Sequence, residues 1–280
     1  MHFLKGHVKL STHIVQSLRH NYGAVLINGK PHRLVDKVYE GDELEIHLPD
    51  RTTLPPLWEM ELDVIYEDED LLIINKPSGI SVHPTYNHPN GTLCNAVANY
   101  LVKTNQRNIP PRAVGRLDKV TSGVMIFAKN AFCASLLNGN LDKTYTAIAC
   151  GKTESSGTVN APIYRPDPNK TIRAVGDCGD YAVTHWELIA HIKNNSYLKI
   201  KTETGRTHQI RVHCAYMGHP LSGDEMYGAP VTDNLKRAAL HCKSVTLTHP
   251  VTGEKMTFVA EEPEDMKKEL KKTDIIVDKL

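Results

Sequence analysis

Gly115-Arg116-Leu117-Asp118-Lys119-Val120-Thr121-Ser122-Gly123 runs directly into Val124-Met125-Ile126-Phe127-Ala128, a polar loop followed by an unbroken apolar run. Such a run, entered through Thr121-Ser122-Gly123, is what a strand buried on both faces requires. A charged pair in the loop ahead of that strand can be held rigidly in a cleft, where Asp118 could act on a ligand. By itself, though, the Arg116/Asp118 pair reads first as a surface ion pair.

Working outward, Asp70-Leu71-Leu72-Ile73-Ile74-Asn75 reads as another buried strand. Tyr145 to Ala149 and Tyr197 to Thr202 add two more, the latter alternating apolar with basic or polar residues. Thr92 is placed to cap a helix from Leu93 to Leu101. Strands outnumber helices without a regular βαβ alternation, and there is no internal repeat, so an α+β fold is expected rather than a doubly wound one. Glu264 to Lys272 has acids first and bases last, which predicts a final, solvent-faced helix.

Residues 1–52 follow a different logic. Ser11 can cap a short helix over His13 to Arg19, and Ala24-Val25-Leu26-Ile27 then meets Asn28-Gly29, the dipeptide that supplies two positive φ angles to a tight hairpin. A Gly41 turn precedes the strand-like Asp42 to Leu48, and Pro49, Pro55 and Pro56 mark a linker. Two units are therefore expected, a small α/β module over 1–52 and a larger one over 58–280.

Of 280 residues, 40% are hydrophobic and 23% charged, as in an ordinary globular protein, with no apolar run long enough to span a membrane. The N-terminus has no secretory pattern, so a cytoplasmic location is expected. The six cysteines stand singly, which suggests neither zinc nor a disulfide framework, and they are expected to be small buried apolar groups. A net charge of +1 exerts no global pull on phosphate, so any nucleic-acid contact must come from bases gathered on one face.

The second chemically suggestive stretch is Thr204-Gly205-Arg206-Thr207-His208-Gln209-Ile210-Arg211-Val212-His213. It ends a strand and, with Thr207 as cap, opens a helix that stops near Gly218 and Pro220, placing His208 and Arg211 on one face. Arg206, the Thr207 hydroxyl and the free first-turn amides would converge on an anionic ligand. His213 reads equally as a packing histidine. Its separation of five from His208 puts the two imidazoles on different faces, against a metal site.

These runs resemble the RluA-type family of RNA pseudouridine synthases. Ile74 to Pro84 resembles the family's opening segment, Gly115 to Gly123 its catalytic block, Lys143-Thr144-Tyr145 its second block, and Thr204 to His213 with Gly218 to Asp224 its third, all in order within residues 58–270. The first module, through Val25 to Lys30 and Gly41-Asp42, resembles the S4 RNA-binding module. The resemblance implies a pseudouridine synthase fold, with a mixed, largely antiparallel sheet and a catalytic cleft. It further implies isomerisation of specific uridines in structured ribosomal or transfer RNA by base flipping, glycosidic cleavage and reattachment through carbon.

Asp118 then matches the catalytic aspartate, whether it attacks the anomeric carbon or removes a ribose proton. Tyr145 matches the tyrosine against the flipped base, Arg211 the basic partner of the aspartate, and Arg116 the residue that takes the flipped nucleotide's place. Lys76, Arg206, Thr207, His208 and Gln209 are the remaining expected RNA contacts. No cofactor or metal is implied, and the chain is expected to be a monomer. In two places it departs from the family pattern: Gly115 stands where many relatives carry His, and Asp180 where relatives often carry a base. The competing readings are an RNA-binding protein without turnover and a glycoside hydrolase with Asp224 as a second carboxylate.

Overall fold

The computed structural model describes residues 2–8, 10, 12–48, 53–85, 89–106 and 109–271. The N-terminal segment holds two helices, α1 (His2–Gly6) and α2 (Thr12–Arg19), of which only the second was expected; Ser11 lies outside the described residues. They accompany a three-stranded sheet in which β1 (Val25–Ile27) lies between β2 (Lys30–Pro31) and β3 (Leu44–Ile46). Asn28 and Gly29 take φ of 51° and 73°, the predicted tight turn, with Ile27 opposite Lys30. Asn28 Nδ2 donates to Asp42 Oδ1 at 2.8 Å and its Oδ1 accepts from the Glu43 amide at 2.9 Å, which ties the hairpin to the Gly41 turn. Leu4, Leu10, Ile14, Val15, Leu18, Ala24 and Val25 form a separate small core.

The larger unit is built on a ten-stranded sheet. Its strands are β4 (Val64–Glu67), β5 (Leu71–Lys76), β6 (Arg112–Val114), β7 (Ser122–Ala128), β8 (Asp142–Cys150) and β9 (Ser156–Asn160), followed by β12 (Val183–Ile192), β13 (Asn195–Thr202), β14 (Leu240–Thr248) and β15 (Lys255–Val259). The short pair β10 (Ile163–Tyr164) and β11 (Ala174–Val175) forms its own ribbon. The order is β4-β5-β7-β14-β8-β13-β12-β9, with β15 on β14 and β6 on β7. Among the described residues only β7 and β14 pair in parallel, so the sheet is mixed and largely antiparallel, as the resemblance implied.

Helices α3 (Leu93–Lys103), α4 (Ala131–Leu137), α5 (Gln209–Tyr216) and α6 (Glu264–Leu270) complete the unit. Thr92 caps α3 as expected, its amide donating to Asn95 Oδ1 at 2.9 Å. The final helix is not merely solvent-faced: Met266 and Leu270, one turn apart, are fully buried against Ile148, Tyr197 and Leu235. The cysteine expectation also fails in part, since Cys178 is exposed and Cys150 half-buried. No helix among the described residues is long and apolar enough to cross a membrane.

One row across the sheet positions the site. Gly123 pairs with Cys242, Cys242 with Tyr145, and Tyr145 with Ile200. Gly123 has φ of 114°, and a Cβ there would lie 2.2 Å from the Cys242 carbonyl oxygen, so only glycine lets β7 and β14 approach this closely. The loop carrying Asp118 therefore emerges beside Tyr145, and the segment after β13 closes the other side.

Candidate active site

Asp118, Arg116, Tyr145, Thr204, Arg206 and Gln209 line one cleft of about 450 Å³ including its mouth. Asp118 is half-buried and Arg116 exposed. The Asp118 loop closes on itself through the Thr121 amide, which donates to the Asp118 carbonyl at 3.1 Å. Behind it Lys76, fully buried, donates from Nζ to the carbonyls of Pro77 (2.9 Å), Lys119 (3.3 Å) and Thr121 (2.7 Å). Lys76 is therefore an anchor of the loop and not an RNA contact, because its buried ammonium is spent on three backbone carbonyls. Burial and the nearby Arg237 pull its pKa down to about 7, and Asp118 opposes that shift.

Tyr145 stands on β8 with 8% of its surface exposed. Burial, with Cys242 and Asp118 adding to it, raises its phenol well above the ordinary tyrosine range, so the ring is neutral beside the carboxylate. Lys143, two residues earlier, is lowered by burial, with Cys242 opposing. A Cβ at position 115 would come within 3.0 Å of its Nζ. The glycine at this position thus leaves room for the Lys143 amine.

Arg211 corrects a sequence expectation. It is buried and donates from Nε to Asp224 Oδ2 and from Nη2 to Asp224 Oδ1, both at 2.7 Å, a bidentate pair with a carboxylate that is itself 2% exposed. Its direct partner is thus Asp224 and not Asp118. Burial opposes its charge, but the hydrogen bonds and charge of Asp224, with Asp118 acting through space, raise its pKa above the ordinary value. The turn from Ser222 to Ala229 carries Asp224 under α5, a tertiary event that spacing within the helix could not reveal. The same pairing removes Asp224 as the second, free carboxylate of a hydrolase.

The helix after Thr204 begins one step later than expected. His208, with φ of 59°, is its N-cap and stands outside the helix, so Thr207 caps nothing; its hydroxyl instead accepts from Arg116 Nη1 at 3.4 Å. His208 and Arg211 still converge, on Tyr227. The phenol hydrogen-bonds His208 Nδ1 at 2.8 Å and accepts the Arg173 amide at 3.0 Å, while the Arg211 guanidinium lies 4.9 Å from the ring centre. Burial lowers the His208 pKa, with Asp118 opposing.

Gln209 does not offer its amide to a ligand. Its Oε1 accepts from Thr204 Oγ1 (2.7 Å) and the Arg206 amide (2.9 Å), and its Nε2 donates to the Val183 carbonyl (2.9 Å) and Thr184 Oγ1 (3.1 Å). It shapes the loop rather than binding RNA through its polar head, and its own backbone amide is taken by the Arg206 carbonyl. The Arg206 and Gln209 amides are thus not free to meet an anion. His213 resolves as a packing histidine, bonded to Thr184 Oγ1 (2.8 Å) and the Ala161 carbonyl (3.0 Å).

A polar groove opens beside the cleft and shares Gly205 and Arg206 with it; Arg165, Arg173 and Thr207 also line it. Arg206 donates from Nε to the Tyr181 carbonyl at 3.0 Å and lies 3.8 Å from Asp180, so the acid at the departing position faces one of the groove's arginines. Asp68, Asp70 and His249 offer ligand atoms within 4.8 Å of one another, but Asp68 already accepts from Tyr66, two backbone amides and His249, and Asp70 from Asn130.

Sequence reading missed Asp224 as a partner, Tyr227 and Arg237. Of these only Asp224 lay in a run already singled out.

The family model described as RNA pseudouridylate synthase matches residues 70–216. The chain is 41% identical over 261 residues to the uncharacterized RNA pseudouridine synthase YhcT of Bacillus subtilis, covering 90% of this chain and 83% of that protein. It is 37% identical over 265 residues to ribosomal large subunit pseudouridine synthase D of Escherichia coli, covering 86% and 80%. The solved structure of human RNA pseudouridylate synthase domain containing 4 superposes with a TM-score of 0.61 at 24% identity, over 75% of this chain and 92% of that one, and shares the fold.

Proposed function

This chain belongs to the family of RNA pseudouridine synthases, isomerases that act on RNA, and we propose that Asp118 is its catalytic carboxylate and Tyr145 the platform for the displaced uracil. The observation that carries this reading is that the two side chains, one from the loop ahead of β7 and one from within β8, line one cleft. The reaction breaks the bond from the ribose to nitrogen and remakes it to carbon, so the base must leave its stack and turn. Unstacking costs a few kcal/mol. Stacking on an aromatic ring returns roughly 1–3 kcal/mol, and in this reading the exposed Arg116, which also lines the cleft, fills the vacated position. Because the phenol of Tyr145 stays protonated, the ring contributes surface rather than charge.

The groove of Arg165, Arg173 and Arg206 supplies the local positive field that a net charge of +1 does not, and it suits an RNA backbone leading into the cleft. Residues 1–52 serve as an S4-like module for the same RNA, supported by the helix pair and by Arg33, Tyr22 and Tyr39 exposed on its surface. The substrate is ribosomal RNA of the large subunit, as the name of the Escherichia coli relative states for that protein. The enzyme acts as a cytoplasmic monomer.

The test is a carbodiimide-adduct primer-extension map of ribosomal and transfer RNA from cells with and without the gene. Loss of one or more large-subunit sites is expected. A map in which only transfer RNA sites vanish overturns the choice of substrate, and an unchanged map overturns the assignment to either RNA.

A further inference from the structure

The loop after Asp118 is gripped by two buried cations, and only one of them belongs to the runs recognised in the sequence. Lys76 takes the carbonyls of Lys119 and Thr121. The carbonyl between them, that of Val120, accepts from Arg237 Nη1 at 3.1 Å. The same guanidinium donates to the carbonyls of Ala238 and Leu240, both at 3.0 Å, and to Ser122 Oγ at 3.4 Å. Its remaining face meets Asp265 in a bidentate pair, Nε to Oδ2 at 2.7 Å and Nη2 to Oδ1 at 3.0 Å.

One planar fork thus joins four places: the catalytic loop at Val120, the first residue of β7 at Ser122, the first residue of β14 at Leu240, and the first turn of α6 at Asp265. Leu240 itself lines the cleft. A lysine could not hold these directions together, because its ammonium is a point donor without a fixed fork. A buried guanidinium also needs a counter-ion, and Asp265 provides it from a helix otherwise docked by Met266 and Leu270.

We propose that Arg237 is a positioning residue for Asp118, and that Asp265 makes the C-terminal helix part of the catalytic apparatus by holding Arg237 in place. The proposal rests on the reading of Asp118 as the catalytic carboxylate. Without Asp265 the guanidinium turns toward water, the Val120 carbonyl keeps only the Ser78 hydroxyl (3.0 Å) as donor, and the loop gains freedom where Asp118 must meet the ribose. Substrate binding, which lies with the arginine groove and Tyr145, is unaffected.

The test uses the full chain and total RNA from cells lacking the gene, and measures single-turnover pseudouridine formation, RNA affinity and thermal midpoint for each variant. Asp265→Ala and Arg237→Lys are expected to slow the single-turnover rate about 10- to 100-fold, the cost of a displacement near 1 Å, with unchanged RNA affinity. Asp265→Glu, which keeps the carboxylate, is expected to restore most of the rate. Asn234→Ala is the control: it removes the Asn234 donor to Glu269 Oε2 (3.0 Å), which also docks α6 but touches nothing in the loop, and it should lower the midpoint while leaving the rate unchanged.

If Arg237→Lys does not fold, Asp265→Ala, a change in a half-exposed first turn, decides alone. A lowered midpoint with a wild-type rate in Asp265→Ala overturns the proposal. Wild-type protein that forms no pseudouridine in this RNA overturns the catalytic reading and the proposal with it, a result distinct from failure of the clamp.

Discussion

Tyr145 is held in a cross-strand row, lines the cleft and is only 8% exposed. If its part is to stack, the ring matters and the hydroxyl does not. Tyr145→Phe should keep most of the rate, and because burial holds the phenol protonated through the neutral range, its pH–rate profile should overlay that of the wild type. Tyr145→Leu should lose roughly 1–3 kcal/mol of stacking, a fall of about 5- to 150-fold in kcat/KM on RNA. Equal losses in Phe and Leu would assign the hydroxyl a chemical part. Asp118, Tyr145, Arg116 and Arg206 could be gathered from the sequence because each lies in a run with a distinctive neighbourhood. Lys76 and Gln209 were misread for a common reason: both polar heads turn inward to satisfy backbone groups, and sequence does not reveal which carbonyls and amides the fold will orphan.

Strands read from continuous apolar runs, β5 and β7, and from alternation, β13, stand where the pattern put them. Their neighbours in the sheet were not legible, since pairing β7 in parallel with β14 depends on a glycine and a carbonyl more than a hundred residues apart. The start of α5 was misplaced because His208 takes the left-handed conformation that a cap at Thr207 would not need. The β14 strand also carries a pH-sensitive element. His241 is fully buried between Ser122 Oγ (2.9 Å) and the Ala260 carbonyl (3.2 Å), and burial lowers its pKa to about 4. The unfolded chain binds this proton below the ordinary histidine value of 6.5, whereas the folded chain binds it only near 4. Stability should therefore fall as pH drops from 6.5 toward 4 and level off below, by on the order of 3 kcal/mol from this group. Urea denaturation across that range should show a shallower dependence in His241→Gln, and an identical slope would locate the effect elsewhere.

Charge is distributed so that RNA recognition cannot be read from the total. With 33 basic and 32 acidic residues the chain is nearly neutral, yet Arg165, Arg173 and Arg206 line one groove that opens into the cleft. Arg165→Ala and Arg173→Ala should weaken RNA binding in low salt, and each should reduce the slope of log affinity against log salt by about 0.7, the value for one lost phosphate contact on a single strand. An unchanged slope would remove the groove from the RNA path.

The order of recognisable runs made the family legible. The arrangement that tethers a catalytic loop to the C-terminal helix was not, because it forms only when segments distant in sequence fold together. The most direct measurement is made on Asp118→Asn, a change that keeps shape and removes charge, assayed with total RNA from cells lacking the gene by carbodiimide-adduct primer extension. The expected result is no pseudouridine formed while RNA binding is retained; conversion at the wild-type rate would contradict the assignment of Asp118.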